Sequence, residues 1–323
     1  MSMQDVTALV FSDYSAGHDT GSHPENQQRL TAVRERLSDE GLLTDRPMYL
    51  SDPVDADVPL LAHDQSLIDR VRELSESGGG FIDGDTLVAS GSWEAALASV
   101  GAGIRAVDLV LAGEHKRAFS MARPPGHHAE RHRQLGFCLF NNIAIAALHA
   151  IQHHNVNRVA IVDWDVHHGN GTQDIFYESD QVLFCSVHQW PLFPGSGLDT
   201  ETGSGPGTGL TVNVPLPAGS TDNDYISVMD EIVAPAIRNF QPELLMISAG
   251  FDAHRDDPLA NMLVSEGGFG QMADRALAWA HELTEGQLVL MLEGGYNLRA
   301  LSESVVAVLH ALDRTAPRER GTR

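Results

Sequence analysis

The feature that most constrains the fold is a series of short, almost continuously apolar segments separated by amphipathic ones. Segments such as RVAIVD and ELLMISAG lack regularly alternating polar positions, which is typical of β-strands covered on both faces. The set of such segments lies at 6–11, 117–122, 158–163, 181–187, 210–216, 243–250 and 287–295. Each has the length of a strand and is far shorter than the ~18 apolar residues that a membrane span needs.

Amphipathic segments lie between these runs, at 64–76, 93–112, 142–154, 222–240, 269–285 and 298–312. Alternation of strands and helices favours a parallel sheet with helices on both faces. We therefore predict an α/β protein with a three-layer α/β/α architecture and a mainly parallel central sheet. No linker or repeat divides the chain, so one domain is expected over 1–323, with a frayed tail from about 314 and a Gly/Pro-rich surface loop at 194–209.

Composition and charge narrow the possible partners. The chain has 21 basic and 44 acidic residues, a formal net charge of −23, which disfavours nucleic acid and favours a cationic ligand. A surface that keeps the protein soluble is the more ordinary explanation of this charge. Cys138 and Cys185 lie in apolar segments, as buried thiols in a reducing compartment do. The N-terminal segment has no signal-peptide pattern. A cytoplasmic protein without a membrane partner is expected.

Histidines and carboxylates cluster at the ends of four predicted strands. RPPGHH follows the strand at 117–122, DWDVHHGNG begins at the end of 158–163, GFDAH follows the strand in 243–250, and EGGYN follows the apolar part of 287–295. Ligands of an open parallel sheet bind outside the carboxyl ends of the strands. We therefore expect these four loops to converge on one crevice.

Three residues of these loops form a candidate metal site. Asp165 and His167 are two positions apart, so in an extended segment their side chains point the same way, and Asp252 can add a third ligand from another loop. One nitrogen and two carboxylates suit Zn²⁺ with a position left open for water. An isolated D-x-H pair is common by chance, so the prediction depends on its occurrence beside GFDAH and the tandem histidines.

His127 and His128 follow a Pro-Pro-Gly turn that projects adjacent imidazoles into the crevice. One ring can shuttle protons while the other acts electrostatically; the alternative is a structurally hydrogen-bonded pair. Asp163 and Asn170 can orient the two rings through their far nitrogens, or Asp163 can simply end a strand.

Three aromatic side chains complete the candidate site. Tyr296 follows two glycines that allow close approach of the backbone to a ligand, and its hydroxyl can donate to an oxyanion. Phe137 and Phe193 lie in loop-like segments and can form the apolar walls of a narrow channel. For all three, packing in the core is the alternative.

The ordered set RPPGHHAE, GFCLFNN, VDWDVHHGNGTQ, SAGFDAHRDDPL and LEGGYN resembles the zinc-dependent histone deacetylase family with its arginase/deacetylase-like fold. The likeness is to the class II-type bacterial branch of histone-deacetylase-like and acetylpolyamine amidohydrolases. It runs from HPENQQRL, which begins at residue 23, to LEGGYN, in the order of the family.

The resemblance implies a role for each matching residue. Asp165, His167 and Asp252 would be the zinc ligands. His128 would be the proton shuttle, His127 its electrostatic partner and Tyr296 the oxyanion donor. Gly136, Phe137 and Phe193 would line the acyl-amine channel. A structural monovalent cation, K⁺, would lie near Asp163, Asp165, His167 and Ser186.

Two positions distinguish this chain within the resemblance. Asn170 stands where class I enzymes carry a carboxylate behind the second histidine, so the pKa of the His128 shuttle is expected to be lower than in an Asp-backed site. Leu259 stands where a polyamine-selective member of the superfamily has a glutamate gatekeeper for the substrate amine. Leu259 therefore disfavours a polyamine substrate, although bacterial acetylpolyamine enzymes need not use that device.

We predict zinc-dependent hydrolysis of an N-acyl amide, with acetyl-lysine or a small acylated amine as substrate. Three alternatives remain: an acetylpolyamine amidohydrolase, a binuclear manganese ureohydrolase, and an inactive module that binds acyl-amines. The second would need further Asp and His ligands, and the third would have lost zinc ligands or the tyrosine. The sequence leaves the physiological substrate and the oligomeric state open.

Overall fold

The computed structural model describes residues 3–314 and contains a central sheet of eight strands, all paired in parallel. The strands are β1 (Ala8–Phe11), β2 (Met48–Leu50), β3 (Gly79–Phe81), β4 (Leu87–Ala89), β5 (Arg117–Met121), β6 (Val159–Asp163), β7 (Val182–Gln189), β8 (Thr211–Leu216), β9 (Leu244–Ala249) and β10 (Leu288–Leu292). β3 and β4 form a separate antiparallel hairpin. The tail expected to fray lies beyond the described residues, and the extent of one domain over 1–323 stays a prediction.

Helices cover both faces of the sheet. They are α1 (Gln28–Asp39), α2 (Gln65–Glu76), α3 (Ser92–Leu111), α4 (Asn142–His153), α5 (Asn170–Phe176), α6 (Asp222–Val228), α7 (Ala234–Phe240), α8 (Glu266–Leu283) and α9 (Leu298–Leu312). One core contains buried side chains of α1 and α6–α9, and the other contains those of α2–α5. The predicted three-layer α/β/α fold is confirmed.

The apolar strands are explained by these two cores. Side chains alternate across a strand, so Leu245 and Ile247 of β9 pack in one core while Leu244 and Met246 pack in the other. All six residues of β9 are buried. A strand with a helix layer on each side has no solvent-facing positions, which is why its sequence does not alternate.

The strand order determines which loops meet. The order is β2-β1-β5-β10-β9-β6-β7-β8, so the four strands followed by histidines and carboxylates are adjacent at the centre of the sheet. β10 comes last in the sequence and pairs with β5 on one side and β9 on the other. The carboxyl ends of these four parallel strands therefore lie side by side.

Several elements differ from the sequence predictions. The pattern analysis missed α1, α5, the three-residue edge strand β2 and the hairpin, all of which are short or partly exposed. The predicted helix at 222–240 contains a π-helical turn at Met229–Val233.

Cys138 and Cys185 are buried and unpaired, as predicted. Within residues 3–314, no helix combines the length and apolarity needed to cross a bilayer.

Burial in the sheet predicts a large stability difference between two strand phenylalanines. Phe119 in β5 is fully buried, whereas Phe81 in the hairpin is 62% exposed. We expect Phe119→Ala to lower the free energy of unfolding by about 3–5 kcal/mol through lost burial and a cavity. Phe81→Ala should change it by no more than ~0.5 kcal/mol. Urea denaturation measures both, and equal losses would contradict this account of the core.

Candidate active site

Four loops at the carboxyl ends of the central strands form one polar cluster. β5 leads to His127 and His128, β6 to Asp165 and His167, β9 to Asp252, and β10 to Glu293 and Tyr296. Their residues are linked by hydrogen bonds and ring contacts: His127 with Asp163, His167 with Asp165 and Asp252, and His128 with His167. The cluster lies where ligands bind in open parallel sheets.

Asp165, His167 and Asp252 form one compact donor set within this cluster. His167 Nδ1 lies 3.1 Å from Asp165 Oδ1 and 3.2 Å from Asp252 Oδ2. The three potential ligand atoms are within 4.8 Å of one another. Both carboxylates are fully buried, and the imidazole is largely so. This geometry can hold a divalent cation between the three side chains.

Backbone groups fix the carboxylates. Gly294 N–H donates to Asp165 Oδ2 (2.9 Å), and Val166 N–H donates to Asp252 Oδ1 (2.8 Å). A Cβ at position 294 would lie 2.1 Å from Asp252 Oδ2 and 2.6 Å from Asp165 Oδ2. The first glycine of EGGYN is therefore required by the close approach of both carboxylates.

The rings of His127 and His128 lie against each other at a tilt of 40°, and each has a different hydrogen-bond partner. Their ring centroids are 4.0 Å apart. His127 Nδ1 lies 2.9 Å from Asp163 Oδ2, whereas His128 Nδ1 lies 2.7 Å from Asn170 Oδ1. The first imidazole thus has a carboxylate partner and the second has an amide.

The surroundings shift the pKa values of the two imidazoles in opposite directions. Burial opposes a charge on His127, but the carboxylates of Asp165 and Asp163 outweigh it and raise its pKa well above the usual value. Burial, and then the neighbouring His127 and His167, lower the pKa of His128 well below the usual value. Burial also raises the pKa of Asp163 to about 7 against the opposing effect of His127. These opposite shifts favour one positive charge on the pair, and they favour its location on His127.

Asn170 has a second partner that sequence reasoning missed. Its Nδ2 donates to Glu130 Oε1 (2.7 Å), and Glu130 in turn accepts from Arg133 Nε and Nη2 at 3.1 and 3.0 Å. Because the amide nitrogen is held by Glu130, the amide oxygen faces His128. The motif HHAERHR contains both residues, but their proximity to Asn170 depends on the fold of the loop.

A cavity of about 200 Å³ leads from the surface to this cluster. It is lined by Asp85, His128, Gly136, Phe137, His167, Leu192, Phe193, Leu259 and Tyr296. All the channel residues expected from the sequence thus lie here. Gly136 has a φ of +59°, and a Cβ there would lie 2.4 Å from His128 Cδ2, so a larger residue would displace the imidazole.

Aromatic rings form the cavity walls. Phe193 makes an edge contact with His128 at 5.1 Å between centroids, and Phe137 makes one with Tyr296 at 5.7 Å. Phe193 is 41% exposed although it is large and apolar. Asp85, from the β3–β4 hairpin, adds a carboxylate at the exposed end.

Arg29 contacts the loop of Tyr296, and Glu293 contacts the loop of His127. The sequence analysis assigned no role to either residue. Arg29 Nε donates to the carbonyl of Gly295 (2.7 Å), and its guanidinium lies 5.1 Å from the Tyr296 ring centroid. Glu293 Oε2 accepts the backbone N–H groups of Gly126 (2.7 Å) and His127 (3.1 Å). Arg29 lies in the short helix α1, in the motif HPENQQRL, whose apolar spacing gives no hint of a distant loop contact.

The residues expected near a monovalent cation are adjacent in the sheet. Asp163 of β6 is in register with Ser186 of β7, and its Oδ1 accepts the backbone N–H of Asp165 (3.0 Å). Ser186 Oγ lies 2.9 Å from His188 Nδ1. A K⁺ site at this position stays a prediction.

Comparison with known proteins identifies the family. The histone deacetylase domain family matches residues 23–312. A probable deacetylase of Archaeoglobus fulgidus is 40% identical, with 97% of this chain and 89% of that protein covered. A histone deacetylase-like amidohydrolase of Pseudomonas aeruginosa is also 40% identical, with 94% and 80% covered.

A solved structure agrees with these relatives. The crystal structure of the HDA15 HD domain superposes with a TM-score of 0.89 at 36% identity, covering 95% of this chain and 88% of that one. The resemblance inferred from the motifs is thereby confirmed. The chain belongs to the histone deacetylase family and has the deacetylase or amidohydrolase function of that family.

Proposed function

We propose that this chain hydrolyses the amide of an acetylated lysine in a peptide or protein, or of a small acylated amine, with Zn²⁺ as its metal. The observation that carries the proposal is the donor set of Asp165, His167 and Asp252 beside a cavity that His128 and Tyr296 also line. The products would be acetate and the free amine.

The donor set fits a zinc ion. Ligand atoms around tetrahedral zinc with bonds of about 2.0–2.2 Å are roughly 3.3–3.5 Å apart, close to the 3.1 and 3.2 Å between His167 Nδ1 and the two carboxylates. Backbone N–H groups orient the carboxylate oxygens, as outer hydrogen bonds do in metal sites. A bound Zn²⁺ would polarise the acyl carbonyl and lower the pKa of a nearby water molecule.

His128 is the proposed general base and acid. Its ring lines the cavity, whereas His127 lies behind it against Asp163. A low pKa keeps His128 neutral and able to accept a proton from the attacking water, which it then delivers to the leaving nitrogen. His127, with the raised pKa, would supply positive charge without exchanging a proton with the substrate.

Tyr296 is the proposed donor to the oxyanion of the tetrahedral intermediate. Burial raises the pKa of its phenol well above the usual value, although Arg29 opposes this effect. The hydroxyl therefore keeps its proton and can donate it in a hydrogen bond. The contacts of Arg29 with Gly295 and with the tyrosine ring fix the phenol toward the cavity.

The cavity walls support acetyl-lysine as the substrate. Phe137 and Phe193 can enclose the methylene stem of a lysine, and Leu259 adds an apolar wall rather than a partner for a second amine. Acetylpolyamine hydrolysis is the second candidate, because Asp85 at the exposed end and the net charge of −23 both favour a cationic substrate.

The other two alternatives have less support. A binuclear ureohydrolase needs more metal ligands, and the group around His167 within residues 3–314 contains Asp165 and Asp252 alone. An inactive binding module would lack part of the machinery, whereas His127, His128 and Tyr296 are all present. We further propose K⁺ near Asp163, Asp165, His167 and Ser186 as a structural ion.

A substrate panel tests the proposal. We expect acetate release from an acetyl-lysine peptide with a higher kcat/KM than from acetylputrescine or acetylspermidine, because the channel is apolar. Dialysis against a chelator should abolish turnover, and Zn²⁺ should restore it. Full activity of metal-free protein would contradict the zinc proposal, and a preference for acetylspermidine would favour the second candidate.

The approach of Gly294 to the carboxylates gives a second prediction. In Gly294→Ala the new Cβ would displace Asp252 and Asp165, and we expect zinc affinity to fall by about 10–100-fold. Gly267→Ala is the matched control, because its Cβ would meet nothing closer than Ser265 Oγ at 3.5 Å. Zinc titration and circular dichroism measure affinity and folding. Equal affinities of the two variants would contradict the assigned site.

Glu130 is predicted to act as a positioning residue for Asn170. Glu130→Ala removes the 2.7 Å acceptor of the Asn170 amide nitrogen and leaves its longer, 3.4 Å contact with the His128 carbonyl. We therefore expect kcat/KM to fall by about 10–100-fold, the equivalent of a hydrogen bond to a charged group. Glu130→Gln keeps an acceptor oxygen and should restore most of the activity. Glu73→Ala, at an exposed position of α2, controls for the loss of one negative surface charge. Zinc content should stay unchanged in all three variants, and a loss of zinc would indicate a merely structural role.

A further inference from the structure

A cluster of one carboxylate and two imidazoles lies outside the active site, on the face of the sheet covered by α3 and α4. Asp108 Oδ1 of α3 is 2.8 Å from His149 Nε2 of α4 and 2.7 Å from His154 Nε2 at the C-terminal end of α4. All three potential ligand atoms lie within 4.8 Å of one another. We propose that Asp108, His149 and His154 form a second metal site, which takes Zn²⁺ or a similar borderline divalent ion.

The composition of the cluster favours this class of ion. Two imidazole nitrogens and one carboxylate oxygen are typical donors for zinc and its neighbours in the transition series, whereas Ca²⁺ and Mg²⁺ prefer all-oxygen sites. The catalytic donor set has the inverse composition, with two carboxylates and one imidazole. The two sites therefore differ in ligand charge, and the ion in the second site would retain more positive charge.

The geometry requires only a small adjustment. Ligand atoms around tetrahedral zinc are separated by roughly 3.3–3.5 Å, so each imidazole must move about 0.6 Å from the carboxylate oxygen that it now contacts. The three side chains are 16–35% exposed, which leaves room for that movement and for water as a fourth ligand. Both imidazoles contact Oδ1 of Asp108, so rotation of the carboxylate can bring Oδ2 toward the ion as well.

The surroundings of the cluster favour a cation. His154 caps the C-terminal end of α4, and His149 lies about one turn before it, near the end where the helix dipole is negative. An adjoining surface cavity of about 570 Å³ is lined by His149, by His153 and by the carboxylates of Asp55 and Asp57.

The position of the site predicts what the metal does. α4 begins at Asn142, and Asn141 just before it contacts the backbone of the His127–Ala129 loop. The cluster is toward the opposite end of this 12-residue helix, with His149 and His154 roughly 11 and 18 Å from Asn142 along the axis. An ion there would join α3 to α4 without touching the substrate, so it would stabilise the fold and leave the catalytic rate unchanged.

Zinc stoichiometry tests this proposal in the full chain. After removal of metal with a chelator, equilibrium dialysis against Zn²⁺ should load wild type with two ions per chain. A double variant, His149→Gln with His154→Gln, should bind one ion and keep full deacetylase activity, which also shows that it is folded. His132→Gln is the matched control, because His132 pairs with the single carboxylate of Asp64 and lacks a second imidazole. It should still bind two.

Asp252→Asn separates this proposal from the proposed function. That variant should bind one ion, at the α3–α4 site, and saturating Zn²⁺ should raise its Tm by a few degrees through linkage. Adding the two glutamine substitutions should abolish both the binding and the Tm shift. If the catalytic centre held no zinc, Asp252→Asn would not change the count, whereas the His149/His154 variant would still bind one ion fewer than wild type. Equal zinc content in wild type and the His149/His154 variant would overturn the second site.

Discussion

Two fully buried carboxylates, Asp165 and Asp252, facing one imidazole are the constraint on which the rest of this structure depends. Removing such charges from water costs several kcal/mol each unless partners compensate them. Here compensation comes from His167, from backbone N–H groups of Val166 and Gly294, and from the positive charge favoured on His127. These partners belong to loops after β5, β6 and β10, so the site needs the strands that carry them side by side.

The same charges explain the division between the two tandem histidines. His127 lies against Asp163 and near Asp165, and both carboxylates favour its protonation. Once His127 is charged, a second positive ring 4.0 Å away is unfavourable. His128 therefore stays neutral with an amide behind it, and Glu130 keeps that amide turned toward it. The distinct chemistry of two adjacent, identical residues thus comes from what lies behind each ring.

The fold and the clustering of the candidate site residues could be predicted from the sequence because both leave local signals. Strands with two covered faces are continuously apolar, and His128 or Asp252 stands out where it follows such a strand. Arg29, Glu130 and Glu293 could not be found in this way, because their roles depend on contacts with residues far along the chain. The contact of Asp108 with His149 and His154 likewise exists only after α3 has packed on α4.

The place of β10 in the sheet has a consequence for synthesis of the protein. Among the strands of residues 3–314 this one is synthesised last, yet it fills the gap between β5 and β9, and Gly294 and Tyr296 follow it directly. A nascent chain that ends before residue 288 has two unpaired strand edges at its centre and lacks the phenol of Tyr296. Until β10 is synthesised, the candidate site is incomplete and two strand edges are open to pairing with other chains. Assembly of the site and protection from aggregation therefore depend on the same strand.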